Sequence, residues 1–270
     1  MILIDWRIVK MKMISFCNKK GGVGKTTLCK NVAYKFALDG SKVLLIDLDP
    51  QATLTLQSAK KNIENNNSIV DLISSKNAAK FIKINNIIIK SKYKNIDIIM
   101  GNESLSTVSA LLNTVYSEKE KYLLSDMIYQ SNEDIFNSYD YVLIDYPPTI
   151  NELSVSFLML SDLIIVPIND GINSVKGVLD LKNTLNNFCR LTNKNVPLIN
   201  IIFNQVKDNN NLLDIKNALK ENNLDINLSR TMIVYSDTYK TIENEFNIIW
   251  ENPYYWRQKQ AYEELIKEIK

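Results

Sequence analysis

Short apolar runs alternate with segments of helical periodicity along most of this chain of 270 residues. The apolar runs are continuous, which is typical of strands buried on both faces of a parallel sheet. They predict strands at residues 13–18, 42–46, 96–100, 141–144, 163–167 and 198–203. The segments between them predict helices at 25–38, 103–115, 152–160, 175–190 and 212–222. The sequence therefore predicts an α/β fold, a mostly parallel twisted sheet with helices on both faces.

Turn-forming residues refine this outline. Gly40 follows the first predicted helix, at a position where a positive φ ends a helix. The polar segment 91–95 separates two apolar runs and indicates a local hairpin, while the Asn-rich segment 60–68 indicates a mobile surface loop. No repeat and no Pro/Gly/Ser-rich linker divides the chain. We therefore predict one domain at residues 13–270, preceded by an N-terminal extension at 1–12.

The N-terminal extension has no clean apolar run and no small-residue cleavage site, so it does not resemble a signal peptide. Met11 and Met13 leave open a later start of translation, because the first predicted strand begins only near Met13. The three cysteines, Cys17, Cys29 and Cys189, lack a CxxC spacing and predict free thiols in a reducing cytoplasm.

The composition excludes several kinds of protein and site. Apolar residues make up 46% of the chain, enough for a sizeable core, yet no run approaches the roughly 18–20 apolar residues of a membrane span. The absence of histidine excludes histidine general bases, Ser-His-Asp triads and histidine metal sites. The net charge of +2 is close to neutral, so nucleic-acid binding would require a local basic patch.

A glycine-rich loop joins the first predicted strand to the first predicted helix. Its sequence from residue 19 is Lys-Lys-Gly-Gly-Val-Gly-Lys-Thr-Thr. Glycine lets the backbone curl around an anion, and the N–H groups at the start of the following helix bind phosphate oxygens. The pattern predicts a phosphate cradle formed by Gly21, Gly22, Val23, Gly24, Lys25, Thr26 and Thr27. Within it, Lys25 would neutralise the β- and γ-phosphates of a nucleotide, and the Thr26 hydroxyl would ligate Mg²⁺.

Carboxylates follow two of the predicted strands. Asp47 and Asp49 come after the second strand and Asp145 after the fourth, with prolines close behind. A lone aspartate at a strand end is commonly a turn or cap residue. In an open α/β sheet, however, ligands bind beyond the carboxyl ends of the strands, so these side chains are predicted to converge beside the glycine-rich loop. There Asp145 would hold Mg²⁺ directly or through water.

Residues 20–27 complete the pattern K-G-G-x-G-K-T, whereas the first glycine of the general pattern G-x-x-x-x-G-K-[ST] is replaced by Lys19. Together with Asn31 and the segment 43–51, these residues resemble the ParA family, whose relatives include MinD. The resemblance implies a P-loop NTPase fold with a deviant Walker A motif. It continues weakly at 102–105 and 161–167, and it is poor between about 51 and 95 and after 209.

The resemblance also implies roles for individual residues. Lys20 corresponds to the lysine that enters the partner subunit's nucleotide site, Asp49 to the residue that orients the attacking water, and Asp47 to a residue that supports the metal shell. Asn204 corresponds to an asparagine that lines the adenine pocket, although a simple turn residue is an open alternative. The spacing from Asn204 to Asp208 does not match the guanine motif Asn-Lys-x-Asp, so ATP is the expected nucleotide.

By the same resemblance, the chain would be a partition ATPase that moves plasmid or chromosomal DNA. It would form a homodimer with ATP, bind DNA non-specifically, and be released by slow hydrolysis that a ParB-like centromere-binding protein stimulates. It would be cytoplasmic and associated with the nucleoid. Basic residues of the last third of the chain are the candidate DNA surface: Arg190, Lys194, Lys207, Lys216, Lys220, Arg230, Lys240, Arg257 and Lys259.

Three other functions share parts of these motifs. A MinD-like membrane switch needs a basic amphipathic C-terminal helix. Residues 262–270 carry an apolar stripe but as much acid as base, which favours a helix packed on its own sheet. A reductase resembling the nitrogenase iron protein needs cysteines at the dimer face. A ligase resembling dethiobiotin synthetase is disfavoured by the sequence Asp49-Pro50-Gln51.

Overall fold

The computed structural model describes residues 11–60, 67–76, 78, 83–171, 173–207, 211–245 and 247–270. Most of the predicted N-terminal extension, most of the predicted loop at 60–68, and Asp208 lie outside the described residues.

The described residues form one sheet of eight strands in the order β3-β4-β2-β5-β1-β6-β7-β8. The strands are β1 Lys12–Phe16, β2 Val43–Asp47, β3 Ile88–Lys90, β4 Ile96–Ile99, β5 Tyr141–Asp145, β6 Leu163–Ile168, β7 Leu198–Val206 and β8 Leu228–Val234. Only the β3–β4 pair is antiparallel, which confirms the predicted hairpin. The carboxyl ends of the parallel strands therefore share one edge of the sheet, called here the carboxyl edge. Their amino ends share the opposite, amino edge.

Strand β8 has no counterpart among the predicted strands. Its residues alternate between buried and exposed, and two of the three buried ones, Ser229 and Thr231, are polar. An edge strand with this pattern lacks the continuous apolar run by which the inner strands are recognised.

Helices cover both faces of the sheet. The described α-helices are α1 Lys25–Leu38, α2 Thr53–Ser58, α3 Ile69–Ile73, α4 Val108–Val115, α5 Glu118–Lys121, α6 Leu124–Ser131, α7 Glu133–Phe136, α8 Glu152–Leu160, α9 Asn173–Thr192, α10 Leu212–Glu221, α11 Asp237–Asn244 and α12 Trp256–Ile269. The helix predicted at 103–115 is a 3₁₀ segment, Glu103–Thr107, followed by α4. Gly40 has a φ of 97°, as predicted for the residue that ends α1.

The C-terminal helix α12 packs on the face of the sheet that also carries α1. Its apolar stripe, Tyr262, Leu265, Ile266 and Ile269, is buried in that face's core. Burying each such side chain contributes about 1.5–3 kcal/mol to the stability of the fold. Exposing the stripe to another surface would therefore destabilise the protein. The observed burial agrees with the expected packed helix. Among the described helices, none is both long enough and apolar enough to span a membrane.

Candidate nucleotide-binding site

The glycine-rich loop leaves the carboxyl end of β1 and enters α1. Gly22 and Gly24 adopt left-handed φ values of 72° and 85°, which glycine reaches without strain. A Cβ on Gly24 would lie 2.4 Å from Nδ2 of Asn204, so no side chain fits at that position. A Cβ on Gly21 or Gly22 would meet no atom within 4 Å. The loop therefore packs tightly on one side and presents open backbone on the other.

Asn18 anchors the start of this loop, a role that sequence reasoning missed. Its buried side chain donates through Nδ2 to the carbonyl of Pro167 at 2.7 Å and accepts from the Lys20 amide at 2.8 Å. A Cβ on Gly177 would lie 2.7 Å from Oδ1 of Asn18, so α9 also packs against this side chain. The signal available in the sequence was an amide side chain at the last position of the first predicted strand.

Lys25, the first residue of α1, is buried in the loop it follows. Its Nζ donates to the carbonyl of Lys20 at 3.2 Å. Burial lowers the pKa of Lys25, and the attraction of Asp145 opposes that shift. A cation held in low dielectric interacts strongly with any anion that enters the loop. The geometry thus agrees with a phosphate-binding lysine.

Thr26 and Asp145 meet as the sequence predicted. The Thr26 hydroxyl donates to Oδ2 of Asp145 at 2.6 Å, and the carboxylate is fully buried. Burial, followed by repulsion from Asp47, raises the pKa of Asp145 well above its usual value. Its second oxygen, Oδ1, has no hydrogen-bond partner among the described residues.

This pair fits Mg²⁺, which prefers oxygen ligands and is commonly held by one carboxylate together with nucleotide phosphates and waters. A buried carboxylate oxygen without a partner is costly unless a cation or proton satisfies it. No cluster of three metal-binding side chains occurs in the described part of the chain. Nucleotide and water would therefore have to supply most of the ligands.

Asp47 lies at the centre of a buried network. Its Oδ1 accepts from the Asp49 amide at 3.0 Å, and its Oδ2 accepts from the amide and hydroxyl of Thr55 at 2.9 and 2.8 Å. The Thr55 hydroxyl in turn accepts from the Gly101 amide at 2.9 Å. Burial raises the pKa of Asp47 to about 6, although these hydrogen bonds lower it. Both oxygens are thus engaged in holding the 47–55 segment, and Thr55 and Gly101 were not among the predicted site residues.

Asp49 lies where this segment meets the glycine-rich loop. Together they line a cleft of about 330 Å³, along with Thr53 and Gln57 of α2. Asp49 is partly exposed, and its Oδ1 accepts from the Gln51 amide at 2.9 Å. The Gln57 side-chain oxygen is buried without a hydrogen-bond partner in the described structure. The helix after the Asp-Pro-Gln sequence is therefore part of the cleft wall.

Comparison with known proteins identifies the family to which this chain belongs. A family model described as an AAA domain matches residues 11–199. An uncharacterised protein of Methanocaldococcus jannaschii is 34% identical over 72% of this chain and 73% of its own length. A virulence plasmid ParA family protein of Chlamydia psittaci is 27% identical over 87% of this chain and 89% of its own. The chain belongs to the ParA-type family of P-loop ATPases.

A solved structure has the same fold. A McdA–ATP complex from Cyanothece superposes with a TM-score of 0.79 at 19% identity, over 96% of each chain. The predicted fold class, an α/β P-loop NTPase sheet with helices on both faces, is confirmed.

Lys20, the lysine expected to serve a partner subunit of a ParA-type dimer, rests on its own chain. Its Nζ donates to Oδ1 of Asn169 at 2.8 Å and to Oγ of Ser174 at 3.3 Å. The Ser174 hydroxyl also donates to Asn169, at 2.6 Å. The lysine is therefore held between the end of β6 and the start of α9.

Asn204 and Gln205 close the site from the end of β7. The buried Asn204 donates through Nδ2 to the carbonyl of Val23 at 2.7 Å, so its amide supports the glycine-rich loop. Gln205, at a left-handed φ of 57°, lines the cleft instead. The contact of Asn204 with adenine stays a prediction, and Gln205 is one of several cleft residues that sequence reasoning passed over, together with Thr53 and Gln57.

The cysteines do not form a surface cluster. Cys17 and Cys29 are fully buried, and burial raises the pKa of the Cys17 thiol to about 12. Cys189 is only partly buried and lies near the end of α9. This placement gives no support to a reductase that holds a metal cluster at its dimer face.

The basic residues of the last third are spread over several elements. Arg190, Arg230 and Arg257 are exposed on α9, β8 and α12. Lys194 pairs with Asp126 at 2.5 Å, and Lys207 lies over the Tyr235 ring at 4.1 Å. Their role as a DNA surface stays a prediction.

Proposed function

We propose that this chain is a partition ATPase whose ATP-bound homodimer binds DNA non-specifically and is released by slow hydrolysis. The observation that carries the proposal is the hydrogen bond from Thr26 to the fully buried Asp145, beside the glycine-rich loop. Next to this pair, the carboxylate of Asp47 holds the backbone of Asp49. Membership in the ParA-type family supports the same conclusion.

The residues of the nucleotide cleft have different roles in binding and hydrolysing ATP. Open backbone at Gly21 and Gly22 and the ammonium of Lys25 bind the phosphates. Thr26 and Asp145 would hold Mg²⁺, which supplies positive charge to the phosphate oxygens during transfer. Asp49 orients the attacking water. Asp47 acts as a positioning residue in this proposal, because its two oxygens hold the backbone of Asp49 and Thr55.

Slow turnover of the isolated chain follows from the position of Lys20. Phosphoryl transfer depends on charge placed around the transferring group, and a cation supplied in trans is worth roughly 10³–10⁵ in rate for related enzymes. In this structure Lys20 is held by Asn169 and Ser174 on its own chain. Dimerisation with ATP would move it to the partner's nucleotide.

The remaining parts of the proposal rest on the family. The ATP dimer would contact DNA phosphates without regard to sequence. A ParB-like centromere-binding protein would stimulate hydrolysis, and the protein would act in the cytoplasm at the nucleoid. The alternative of a MinD-like membrane switch is less well supported, because the apolar stripe of α12 is buried in the core.

The direct test uses the variant Asp49→Ala. It should bind Mg·ATP like the wild type, lose hydrolysis, and form a dimer with ATP but a monomer with ADP. Light scattering at saturating nucleotide measures the masses, and a phosphate-release assay measures turnover. Wild-type turnover by the variant, or equal masses in both nucleotides, would contradict the proposal.

A further inference from the structure

A second, larger cleft lies at the amino edge of the sheet, on the far side from the glycine-rich loop. It has a volume of about 620 Å³, and five lysines line it: Lys42, Lys60, Lys90, Lys92 and Lys94. Asp97 is the single acidic residue of its lining. We call this feature the lysine cleft. Four of these five lysines lie in the segment 51–95, where the resemblance to the ParA family is poor, and Lys42 precedes it.

Positive charge predominates in the lysine cleft. Asp97 is already engaged by Lys90 at 2.8 Å and by the Tyr139 hydroxyl at 2.9 Å. Lys42, Lys60 and Lys94 are exposed, and in the described part of the chain none of them forms a salt bridge. In a protein with a net charge of +2, such a concentration creates a strong local positive potential.

The fold holds these lysines in place. In the β3–β4 turn, Ser91 and Tyr93 are buried while Lys92 and Lys94 are exposed. The Ser91 hydroxyl accepts from the Tyr93 amide at 2.9 Å, and the Tyr93 ring packs edge-on against Tyr34 with centroids 4.9 Å apart. The alternation of buried and exposed residues presents both lysines on the same outer surface.

Helix α2 connects the lysine cleft to the nucleotide cleft. Thr53 and Gln57 of α2 line the nucleotide cleft. At its other end, the Ser58 carbonyl accepts from the Lys92 amide at 2.9 Å, and Ala59 forms a β-bridge with Ser91. Lys60 follows directly and lines the lysine cleft. A shift of the 47–55 segment would therefore be transmitted to the wall that carries Lys60.

We propose that the lysine cleft is a contact surface for the phosphate backbone of duplex DNA. This inference rests on the proposed function and gives it a location. Lysine ammonium groups are point charges that neutralise phosphates without reading bases, which suits binding independent of sequence. None of the large exposed hydrophobic residues of the described structure lines the lysine cleft. A membrane-binding surface would need such residues for insertion, so DNA fits this surface better than a lipid bilayer.

The test compares two triple variants of the full chain, both bound to a non-hydrolysable ATP analogue with Mg²⁺. The cleft variant is Lys42→Gln/Lys92→Gln/Lys94→Gln, and it leaves the Lys90–Asp97 pair intact. The matched control is Lys83→Gln/Lys119→Gln/Lys267→Gln, which removes three exposed lysines that line neither cleft and are not among the candidate DNA residues of the last third. Binding to random-sequence duplex DNA is titrated at several salt concentrations, and nucleotide affinity and dimer mass serve as checks on folding.

The cleft variant should bind DNA at least tenfold more weakly at about 100 mM salt. Its log–log salt slope should be shallower by about 2.7 for each cleft engaged, since each phosphate neutralised contributes about 0.9. The control should keep the wild-type slope, and Lys42→Arg/Lys92→Arg/Lys94→Arg should bind like the wild type.

Three outcomes would overturn the inference. If the cleft variant binds DNA with the affinity and the salt slope of the wild type, the DNA surface lies elsewhere on the chain and the proposed function stands. If the wild-type dimer binds no duplex at any salt concentration, the inference and the DNA part of the proposed function both fail. If the wild type binds vesicles of anionic phospholipid instead, and the cleft variant does not, the surface is a membrane contact.

Discussion

The two edges of the sheet are built in opposite ways, although the same strands end at both. At the carboxyl edge, titratable groups are buried and held by hydrogen bonds, as for Asp47 and Asp145. At the amino edge, lysines are exposed on a backbone that hydrogen bonds hold in place. Buried charges are costly to arrange and act with strength and precision, whereas exposed ones act together through their summed field.

This contrast separates two kinds of sensitivity. A single substitution at the carboxyl edge leaves a buried partner unsatisfied and should have a large, specific effect. A single substitution at the amino edge removes one of several equivalent charges and should have a small effect, visible mainly as a change in salt dependence.

The sharpest form of the contrast is Lys25→Ala against Lys94→Ala. Lys25→Ala removes the buried ammonium of the phosphate loop, and we expect ATP affinity to fall by about 100-fold or more, since charged hydrogen bonds to phosphate are among the strongest. Lys94→Ala should leave ATP affinity within about twofold of the wild type, because its side chain is exposed at the other edge. Isothermal titration with Mg·ATP measures both. Similar losses of ATP affinity in the two variants would contradict the assignment of nucleotide binding to the carboxyl edge alone.

The second prediction concerns Thr55, which joins Asp47 to Gly101. Thr55→Val keeps the shape but removes the hydroxyl that donates to Asp47 and accepts from the Gly101 amide. We expect a loss of about 1–3 kcal/mol in the free energy of unfolding, because the Gly101 amide loses its acceptor and the buried Asp47 loses one of its donors. Hydrolysis should fall by about tenfold with ATP affinity nearly unchanged.

Denaturant unfolding and phosphate release measure these effects. Thr114→Val, whose hydroxyl bonds only within an exposed turn of α4, is the matched control and should change neither quantity appreciably. An unchanged hydrolysis rate in Thr55→Val would show that the network holds the fold and not the reactive geometry.

The sequence predicted the carboxyl edge well, because its chemistry is local. The spacing of Gly21, Gly22, Gly24 and Lys25 is read directly from neighbouring residues, and a parallel sheet brings Asp145 to the same edge. The contributions of Asn18 and Gly101 depend on contacts with distant segments, which no short pattern encodes.

The amino edge was not predicted for a different reason. Its lysines fall into three groups along the chain: Lys42, Lys60, and the three at 90–94. The groups are 18 or more positions apart, and they become one surface only when β3, β4 and the end of α2 assemble. In a chain rich in lysine, such residues look like ordinary solubilising charges. The basic residues of the last third attracted the DNA prediction because arginine is rare in this chain, and their role stays a prediction.

The third prediction concerns the resting position of Lys20. Asn169→Ala removes the acceptor at 2.8 Å and leaves Lys20 with Ser174 at 3.3 Å. If Lys20 serves the partner's nucleotide, releasing it should increase dimer formation with an ATP analogue severalfold, since less interaction must be broken first. Sedimentation across a protein concentration series measures this. A dimer constant equal to that of the wild type would mean that Lys20 does not have to leave this position.

The smallest expected effect reports on the link between the two edges. The Lys92 amide donates to the carbonyl of Ser58 at the end of α2, so its hydrogen exchange depends on how α2 is seated. Because Thr53 and Gln57 of α2 line the nucleotide cleft, an ATP analogue should change this exchange rate by about two- to tenfold relative to ADP. The Asp140 amide is the matched control, since it also lies at the amino edge but donates to the carbonyl of Lys42. It has no contact of this kind with α2 and should exchange at the same rate in both nucleotides. Equal exchange of the Lys92 amide in ATP analogue and ADP would show that the edges act independently, and that any dependence of DNA binding on ATP comes from dimerisation alone.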